Sequence, residues 1–288
     1  MNREASSIPL TAIVLTRDEA INIGPCLEAM ARVEDIVVVD SGSTDTTLEL
    51  AQKLRPDARI FHHQFKDFGD QRNWALDNCE PRHGWVLFVD ADEFCEPELL
   101  DEIEAFLREP GAFVGGYVAG RNYFLGRWLK YSTMYPSYQL RLLKLGHVRY
   151  RKEGHGQREV TEGPLHYFRY GWRHEGFSKG VSQWIARHNR YSTEEVELIL
   201  RLRAEKLMFR DLVNVDPIVR RRAFKRLGAR LPFRPINRFL YTYVLKKGFL
   251  DGYPGLLYCL LRIAHDIHII SKLAEQRRAG RLGKRDAA

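Results

Sequence analysis

The stretch Asp35-Ile-Val-Val-Val-Asp40-Ser-Gly-Ser-Thr-Asp45-Thr-Thr47 joins an uninterrupted apolar run directly to a polar turn. A continuous apolar run is typical of a strand that is buried on both faces of a parallel sheet. Thr44 or Asp45 is a natural N-cap for a helix over about 47–54. The stretch therefore predicts the strand, turn and helix of an α/β domain.

The alternation of strand and helix continues on both sides of this stretch. Apolar runs predict strands over 8–15, 59–62 and 85–90, and helical patterns cover about 22–32, 70–78 and 97–107. This order indicates an α/β fold with a mostly parallel sheet and flanking helices. Residues 112–175 change to short strands and aromatic, Gly-rich loops, and residues from 178 onward are helical.

The composition excludes several classes of protein. With 288 residues, 44% hydrophobic and 28% charged, the chain is neither globally disordered nor a polytopic membrane protein. Its 4 cysteines lie far apart without a Cys-x-x-Cys pair, which excludes a zinc knuckle or disulfide framework and favours a reducing compartment. The residues before Ile8 contain no apolar signal-peptide region, so we expect the chain in the cytosol.

Charge is distributed unevenly along the chain. Residues 1–200 hold 24 Lys and Arg against 30 Asp and Glu, whereas residues 201–288 hold 21 against 7. A tail this basic is attracted to an anionic surface, which is either nucleic acid or phospholipid headgroups. Aromatic residues follow the Arg220–Arg226 cluster, and charges interrupt the apolar segment 249–273, so an interfacial helix is predicted rather than a spanning one.

Two acidic stretches follow predicted strands, Asp40–Asp45 and Asp90-Ala-Asp92. In open α/β sheets, ligands bind beyond the carboxyl ends of the strands. Carboxylates spaced Asp-x-Asp can converge on Mg²⁺ or Mn²⁺, which bridge phosphates. The loop after Asp40 is neither a Walker loop nor a dinucleotide fingerprint, yet Asp40 could accept from a base N–H or a ribose hydroxyl.

Three segments resemble the N-terminal signatures of the family 2 glycosyltransferases, which have the GT-A fold: 11–22, 36–45 and 88–93. Their order and spacing also match. Residues 120–128, 135–142 and 248–256 resemble the bacterial branch that contains lipopolysaccharide core glucosyltransferases. The resemblance covers about residues 8–275. It implies a GT-A domain over 1–200, with a nucleotide-binding half (about 8–110) and an acceptor half (about 111–200), and a basic, amphipathic, membrane-associating helical region over 201–288.

The resemblance also implies roles for individual residues. The side chains expected at the nucleotide-sugar are Thr16, Glu19, Asp40, Ser41, Arg72 and Asp90. Those expected to bind Mg²⁺ or Mn²⁺ are Asp90, Asp92 and His174, with Asp92 as the direct ligand. The implied reaction is a single displacement that inverts the anomeric carbon, with metal and Arg72 neutralising the departing diphosphate.

The catalytic base is the point at which the sequence departs from the family pattern. Relatives often carry a His-Glu pair, whereas here Gly156 follows His155. Arginine and lysine neighbours favour the ionised form of a carboxylate, which suits a base. The candidates, in order of preference, are Glu153, His155 and Glu159.

The predicted function is therefore a metal-dependent inverting glycosyltransferase, peripheral on the inner face of the plasma membrane. It would move a sugar, most simply from a UDP-hexose, to a glycan or glycolipid acceptor in lipopolysaccharide or envelope polysaccharide biosynthesis, with no nucleic-acid partner. One alternative is a nucleic-acid-binding protein, suggested by the basic tail but without a recognisable binding motif. Another is an aspartate-based phosphotransferase, although Phe94 stands where that motif requires Thr.

Overall fold

Residues 7–133, 135–153, 156–215 and 217–285 are described by the computed structural model. The chain divides into two compact units, one ending at Gly180 and the other beginning at Val181. Residue 200, where the sequence predicts the domain boundary, lies within the first helix of the second unit.

The first unit alternates strands with helices. Its strands are β1 (Ile8–Thr16), β2 (Val33–Asp40), β3 (Arg59–His62), β4 (Trp85–Asp90), β5 (Glu93–Cys95), β6 (Gly115–Phe124), β7 (Arg127–Trp128), β8 (Tyr138–Lys144), β9 (Val148–Glu153), β10 (Gly156–Thr161) and β11 (Leu165–His174). Its helices are α1 (Ile23–Glu28), α2 (Thr47–Leu54), α3 (Phe68–Asn78) and α4 (Pro97–Arg108).

One mixed sheet organises this unit, in the order β3-β2-β1-β4-β8-β6-β11-β5, and β7 pairs with β6. The strands β3, β2, β1 and β4 are parallel neighbours, β8 is antiparallel to β4 and β6, and β11 is parallel to β6. Most of the described strands thus run in one direction. The predicted α/β fold with a mostly parallel sheet and flanking helices is confirmed.

The apolar strands are buried on both faces, as their uninterrupted runs predict. Along β1 and β2, Val14 and Val38 belong to one core cluster, whereas Ile13, Val37 and Val39 belong to another. Successive side chains of a strand point to opposite faces. The two clusters therefore fill the two sides of the sheet.

The Gly-rich segment differs from its prediction. Residues 112–175 were expected to form short strands and loops, but β6 and β11 have 10 residues each and join the main sheet. Their glycines make room for neighbours. A Cβ at Gly120 would lie 2.7 Å from Trp172 Nε1, and a Cβ at Gly171 would lie 1.9 Å from the Ala119 carbonyl oxygen. The glycines thus allow close strand contact rather than turns.

The second unit is helical. It contains α5 (Gly180–Ala204), a 3-10 turn (Phe209–Val213), α6 (Pro217–Arg230), α7 (Arg234–Phe239), a π-helical turn (Leu240–Leu245), a 3-10 turn (Gly248–Asp251) and α8 (Gly252–Arg285). Its core cluster joins side chains of α5, α6 and α8: Val196, Ile199, Ala229, Ile269 and Leu273. Within the described ranges, no helix has both the length and the apolar character that crossing a bilayer requires.

Candidate active site

The two acidic stretches lie one strand apart at the same edge of the sheet. Strand β1 lies between β2 and β4, and its last residues pair Thr16 with Asp40 and Leu15 with Asp90. Parallel strands end at a common edge, where ligands of α/β proteins bind. The sequence prediction that places Asp40 and Asp90 near each other is consistent with this register.

Hydrogen bonds lock the loop after β1 onto the loop after β2. Asp18 N donates to Ser43 Oγ at 2.8 Å, and Glu19 N donates to Thr47 Oγ1 at 2.8 Å. In the other direction, Thr44 N donates to Asp18 Oδ1 at 2.7 Å. The two loops that the resemblance assigns to the nucleotide therefore form one rigid wall.

Asp40 fixes the conformation of the loop after β2. Its buried carboxylate accepts hydrogen bonds from Gly42 N at 2.9 Å and from Ser43 N at 3.0 Å, and also from Ser43 Oγ. Beside it lies a cavity of about 440 Å³, whose lining residues are Arg17, Asp40, Ser41, Gly42, His62, His63, Gln64 and Phe65. Asp40 and Ser41 thus contribute to the wall of a cavity large enough for a small ligand.

Thr16 is the last residue of β1, and Glu19 lies in the loop that follows it, which we call the first loop. The Thr16 hydroxyl is buried and has no hydrogen-bond partner among the described residues. Glu19 is paired with Lys179 and accepts from Asn22 Nδ2 at 2.6 Å. Burial raises the pKa of Glu19 above its ordinary value despite these contacts. Glu19 therefore ties the first loop to the residues that follow β11.

Two buried arginines grip the end of β4. Asp90 Oδ1 accepts from Arg72 Nη2 at 2.9 Å, and Asp90 Oδ2 accepts from Arg141 Nη2 at 2.8 Å. Arg141 Nη2 also donates to Glu93 Oε1 at 2.6 Å, and Asp90 N donates to Glu93 Oε2 at 3.0 Å. Arg72, Asp90, Glu93 and Arg141 form a connected charge cluster, which we call the arginine clamp. Glu93 and Arg141 lie in the segments 88–93 and 135–142 that resemble the family, but neither was predicted as a site residue.

The arginine clamp sets the ionisation of its carboxyl groups. Burial alone would raise the pKa of Asp90, but Arg141 and Arg72 hold it well below its ordinary value. Burial raises the pKa of Glu93 to about 7. The positive charge of Arg141 lowers this pKa, but the negative charge of Asp90 raises it again. Asp90 is therefore ionised at neutral pH and held by two cations.

Arg72 connects the clamp to the β9–β10 hairpin. Its Nη1 donates to Gln157 Oε1 at 3.0 Å, and its guanidinium lies 5.5 Å from the centre of the Phe88 ring. Asn73, its neighbour on α3, exchanges hydrogen bonds with the Tyr150 backbone at 2.8 and 3.0 Å. Arg72 thus lies at the junction of α3, β4 and the hairpin. Its predicted contact with the nucleotide-sugar stays a prediction.

Asp92 and His174 form a second pair beside the clamp. Asp92 Oδ2 lies 3.4 Å from His174 Nε2, and the Asp92 carbonyl accepts from Glu175 N at 2.9 Å. On the other side of the ring, His174 Nδ1 donates to Asn122 Oδ1 at 2.8 Å. Burial lowers the pKa of His174, but the carboxylates around it, Asp92 first, raise it to about 9. The imidazole is thus oriented by Asn122 and paired with Asp92.

The donor set suits a divalent ion that shares its ligands with a phosphate. In the described part of the chain, no three His, Cys, Asp or Glu side chains are grouped so that they could hold a metal by themselves. Both Asp90 oxygens accept from arginines, whereas Asp92 and His174 face each other. Mg²⁺ is commonly held by one or two protein ligands together with substrate phosphates. Asp92 and His174 therefore fit such an ion. Asp90 ends β4 two residues before Asp92, and its predicted metal contact stays a prediction.

Two of the three candidate bases lie on the β9–β10 hairpin. Glu153 is the last residue of β9, and Glu159 lies opposite Tyr150 on β10. Tyr117 Oη donates to Glu159 Oε1 at 2.6 Å. His155 lies outside the described residues. Glu159 is two residues from Gln157, the partner of Arg72, so both side chains lie on the same face of β10.

Comparison with known proteins identifies the family. Residues 11–183 match the model of Glycosyl transferase family 2. The chain belongs to glycosyltransferase family 2. It is therefore a glycosyltransferase, and the family predicted from the three N-terminal signatures is confirmed. Membership favours this activity over the nucleic-acid-binding and phosphotransferase alternatives.

The chain is similar to named relatives from two bacteria. The chain is 29% identical over 267 residues to the lipopolysaccharide core biosynthesis glycosyltransferase LpsC of Rhizobium meliloti, with 89% of this chain and 91% of LpsC covered. It is 32% identical over 126 residues to a PGL/p-HBAD biosynthesis glycosyltransferase of Mycobacterium tuberculosis, which covers 40% of this chain and 48% of that protein.

Two solved structures align with most of the chain. The mannosyltransferase PcManGT of Pyrobaculum calidifontis is 17% identical, with a TM-score of 0.49 and coverage of 93% of this chain and 87% of that chain. S. aureus TarS 1–349 is 16% identical, with a TM-score of 0.40 and coverage of 95% and 92%.

Proposed function

We propose that this family 2 glycosyltransferase moves a hexose from a nucleoside diphosphate sugar to a membrane-associated glycan or glycolipid, with a divalent metal and inversion of the anomeric carbon. The observation that carries the proposal is the Asp92–His174 pair, 3.4 Å apart, next to a strand end that two arginines hold. The register of β1 with β2 and β4 brings this strand end beside the loop of Asp40.

The loops after β1 and β2 would bind the donor nucleotide. They are cross-linked by hydrogen bonds and line a cavity that also presents the partly exposed rings of His62 and Phe65. This subsite would be shaped by Thr16, Glu19, Asp40 and Ser41. Asp40 and Glu19 would act by holding the loops in place, because their carboxylates accept hydrogen bonds from loop residues. A base stacked on an aromatic ring and a ribose near Asp40 fit this arrangement.

The arginine clamp would keep the diphosphate end of the site in place. Asp92 and His174 would hold Mg²⁺ or Mn²⁺, which when bound supplies positive charge to the departing diphosphate. Arg72 and Arg141 keep Asp90 ionised and fix the end of β4, so that Asp92, two residues later, keeps its place beside His174. A site fixed before the reaction lowers the barrier because it needs no reorganisation.

Inversion requires a base that removes the proton of the acceptor hydroxyl. Glu153, His155 and Glu159 remain the candidates for this role. Glu159 gains support because it lies on the same strand face as Gln157, which binds Arg72 of the clamp. The hydrogen bond from Tyr117 would keep its carboxylate oriented while leaving the second oxygen available for a proton.

The acceptor and the location follow from the relative and from the charge. LpsC, which aligns with nine-tenths of this chain, is named for lipopolysaccharide core biosynthesis, so we infer an envelope glycan or glycolipid acceptor. The basic residues 201–288 favour attachment to the inner face of the plasma membrane. A UDP-hexose is the donor we expect, with glucose ahead of galactose, mannose and N-acetylhexosamines.

Thermal unfolding with a panel of nucleotides tests the donor class and the metal. We expect UDP with Mn²⁺ to raise the Tm more than GDP, CDP or dTDP, because ligands that bind only the folded state stabilise it. Asp92→Asn should remove the part of the shift that requires Mn²⁺. Asp77→Asn, in an exposed ion pair with Arg149, is the matched control and should leave the shift unchanged. Equal shifts with all nucleotides, independent of Mn²⁺, would contradict the proposal.

A further inference from the structure

The segment Arg234–Leu245 in the second unit buries polar groups and exposes apolar ones. On its inner side, Arg234 Nε lies 3.0 Å from Asp266 Oδ1, and Arg238 forms a second ion pair with the same fully buried carboxylate. Thr242 is also buried, and its hydroxyl donates to the Arg238 carbonyl at 2.8 Å. The orientation of the segment on α8 is therefore fixed by polar contacts.

Its outer side is apolar. We call this side the outer face, and its residues are Ile236, Leu240, Tyr241, Val244, Leu245 and Phe249. Residues 236, 240 and 244 recur every four positions, so they form one stripe along the helical segment. Ile236 is 58% exposed and Leu245 is 71% exposed. A contiguous apolar stripe in water marks an interaction surface, unlike single exposed residues.

Basic residues predominate in the part of the sequence that contains the outer face. Residues 217–274 contain 12 Lys and Arg but only two acidic residues, Asp251 and Asp266, and both of these are buried. Lys246 and Lys247 are exposed directly after Leu245, and Lys246 Nζ lies 5.8 Å from the centre of the Tyr241 ring. The surface therefore combines apolar side chains with the positive charge of the exposed Lys246 and Lys247.

We propose that the outer face binds the surface of an anionic phospholipid bilayer, with its apolar side chains among the upper acyl carbons and Lys246 and Lys247 at the headgroup phosphates. This proposal deepens the membrane location in the proposed function and rests on it for the source of the acceptor. Apolar side chains next to lysines are typical of segments that lie in the plane of a bilayer surface. Tyr241 supplies an aromatic ring with a polar tip, which suits the same depth.

Vesicle co-sedimentation of the full chain tests the proposal. We expect binding to vesicles of phosphatidylcholine mixed with phosphatidylglycerol, weaker binding to pure phosphatidylcholine, and loss of affinity as salt increases. Leu245→Glu and Val244→Glu should each lower the affinity at least tenfold, because each places a carboxylate at the acyl boundary. Lys246→Gln with Lys247→Gln should lower it roughly thirty-fold, at about 1 kcal/mol for each lysine.

Leu200→Glu is the matched control, because Leu200 is an exposed leucine on α5, outside the outer face, and its variant should bind as the wild type does. Unchanged binding by both glutamate variants would overturn the proposal. The proposal would also be overturned if the wild type did not bind vesicles but self-associated in sedimentation velocity, and if Leu245→Glu abolished that self-association. The outer face would then join two copies of the chain. Binding to duplex DNA that depends on the lysines but not on Leu245 would also overturn it.

The test separates this proposal from the glycosyltransferase mechanism. All variants should retain the UDP- and Mn²⁺-dependent rise in Tm, because none of the substituted residues belongs to the candidate active site. Loss of vesicle binding with the nucleotide shift intact therefore concerns the outer face alone. Vesicle binding without any nucleotide shift in the wild type would instead refute the proposed donor site and leave the outer face supported.

Discussion

Arg141 is the residue through which Asp90 and Glu93 share one positive charge. Its side chain is almost completely buried, and its guanidinium also lies 4.9 Å from the centre of the Trp172 ring. In the sequence it is a single arginine between leucines, and its two partners lie 51 and 48 positions earlier. No local pattern joins residues so far apart. The arginine clamp therefore could not be predicted from spacing, although Asp90 and Arg72 could be selected by motif.

Removal of Arg141 should destabilise the first unit. Arg141→Met would remove the arginine that the buried Glu93 and the partly buried Asp90 share, so we expect a loss of about 3–5 kcal/mol in the free energy of unfolding. Urea unfolding measures this difference. Arg149→Met breaks an exposed ion pair with Asp77 and should cost less than about 1 kcal/mol. Equal losses in the two variants would show that the clamp contributes no more than a surface pair.

Asn122 should act on metal binding through His174. It accepts the Nδ1 proton and so directs Nε2 toward Asp92. Substitution of a residue that hydrogen-bonds a metal-binding histidine commonly lowers the metal affinity by about 10- to 100-fold. We expect Asn122→Leu to weaken Mn²⁺ binding in the presence of UDP by this factor, as measured by electron paramagnetic resonance of free Mn²⁺. Asn122→Asp should retain most of the affinity, because a carboxylate also accepts the proton.

Asn78→Leu is the control for this measurement. Asn78 donates to the Trp74 carbonyl of its own helix and is exposed. Its variant should bind Mn²⁺ as the wild type does. If Asn122→Leu binds Mn²⁺ with unchanged affinity, the orientation of His174 does not depend on Asn122, or His174 does not bind the metal.

Substitution of the two described base candidates should separate them. The variant that lacks the base should lose about 100- to 10 000-fold in kcat, because general base catalysis contributes this much. We expect this loss for Glu159→Gln or Glu153→Gln, but not for both, with the UDP and Mn²⁺ shift in Tm retained in each. Release of UDP during transfer to the acceptor measures kcat. Small effects in both variants would move the role to His155.

At the scale of the elements, the sequence predicts best where a single pattern controls an element. Strands β1, β2 and β4 follow from uninterrupted apolar runs, and their burial on both faces agrees with that pattern. Strands β6 and β11 do not follow from such a pattern. Their glycines are typical of loops, but here they allow close contact between neighbouring strands. The π-helical turn after α7 was also missed, since its apolar residues point outward and give no core-facing pattern.

The contact of α5 with α8 should make stability depend on pH. Burial, together with the positive charge of Arg262, lowers the pKa of His188 to about 3 and that of His265 to about 4. Both rings are thus neutral in the folded chain, whereas in the unfolded chain they bind protons below about pH 6.5. The unfolded state binds more protons between these values, so stability should fall as pH decreases from about 6.5 to 4.

Thermal unfolding between pH 7 and pH 5 measures this dependence. His265→Gln should flatten the decrease in Tm, since glutamine binds no proton and can still donate to the His188 carbonyl, which His265 Nδ1 contacts at 3.1 Å. His147→Gln is the control, because His147 is exposed and belongs to the first unit. A Tm profile that is the same in His265→Gln and the wild type would exclude His265 as a source of acid sensitivity.

At the scale of the whole molecule, the family model and the charge divide the chain in a similar way. The match to the family ends at residue 183, close to the end of the first unit at Gly180, and the excess of basic residues begins after residue 200. The sequence could therefore identify the enzyme family and predict an anionic partner for the second unit. It could not predict which side chains would face such a partner, because burial of Asp266 with two arginines depends on tertiary contacts.

Gly171 allows close approach of the two strands that carry His174 and Asn122. Gly171 and Ala119 are paired across β11 and β6, and three positions further along the same strands His174 is paired with Asn122. A methyl group at position 171 would overlap the Ala119 carbonyl oxygen and so would force β6 and β11 apart. Position 171 lies about 10 Å from His174 along β11, at roughly 3.3 Å per residue. A side chain at position 171 would therefore be expected to change the distance between the strands near His174 and Asn122.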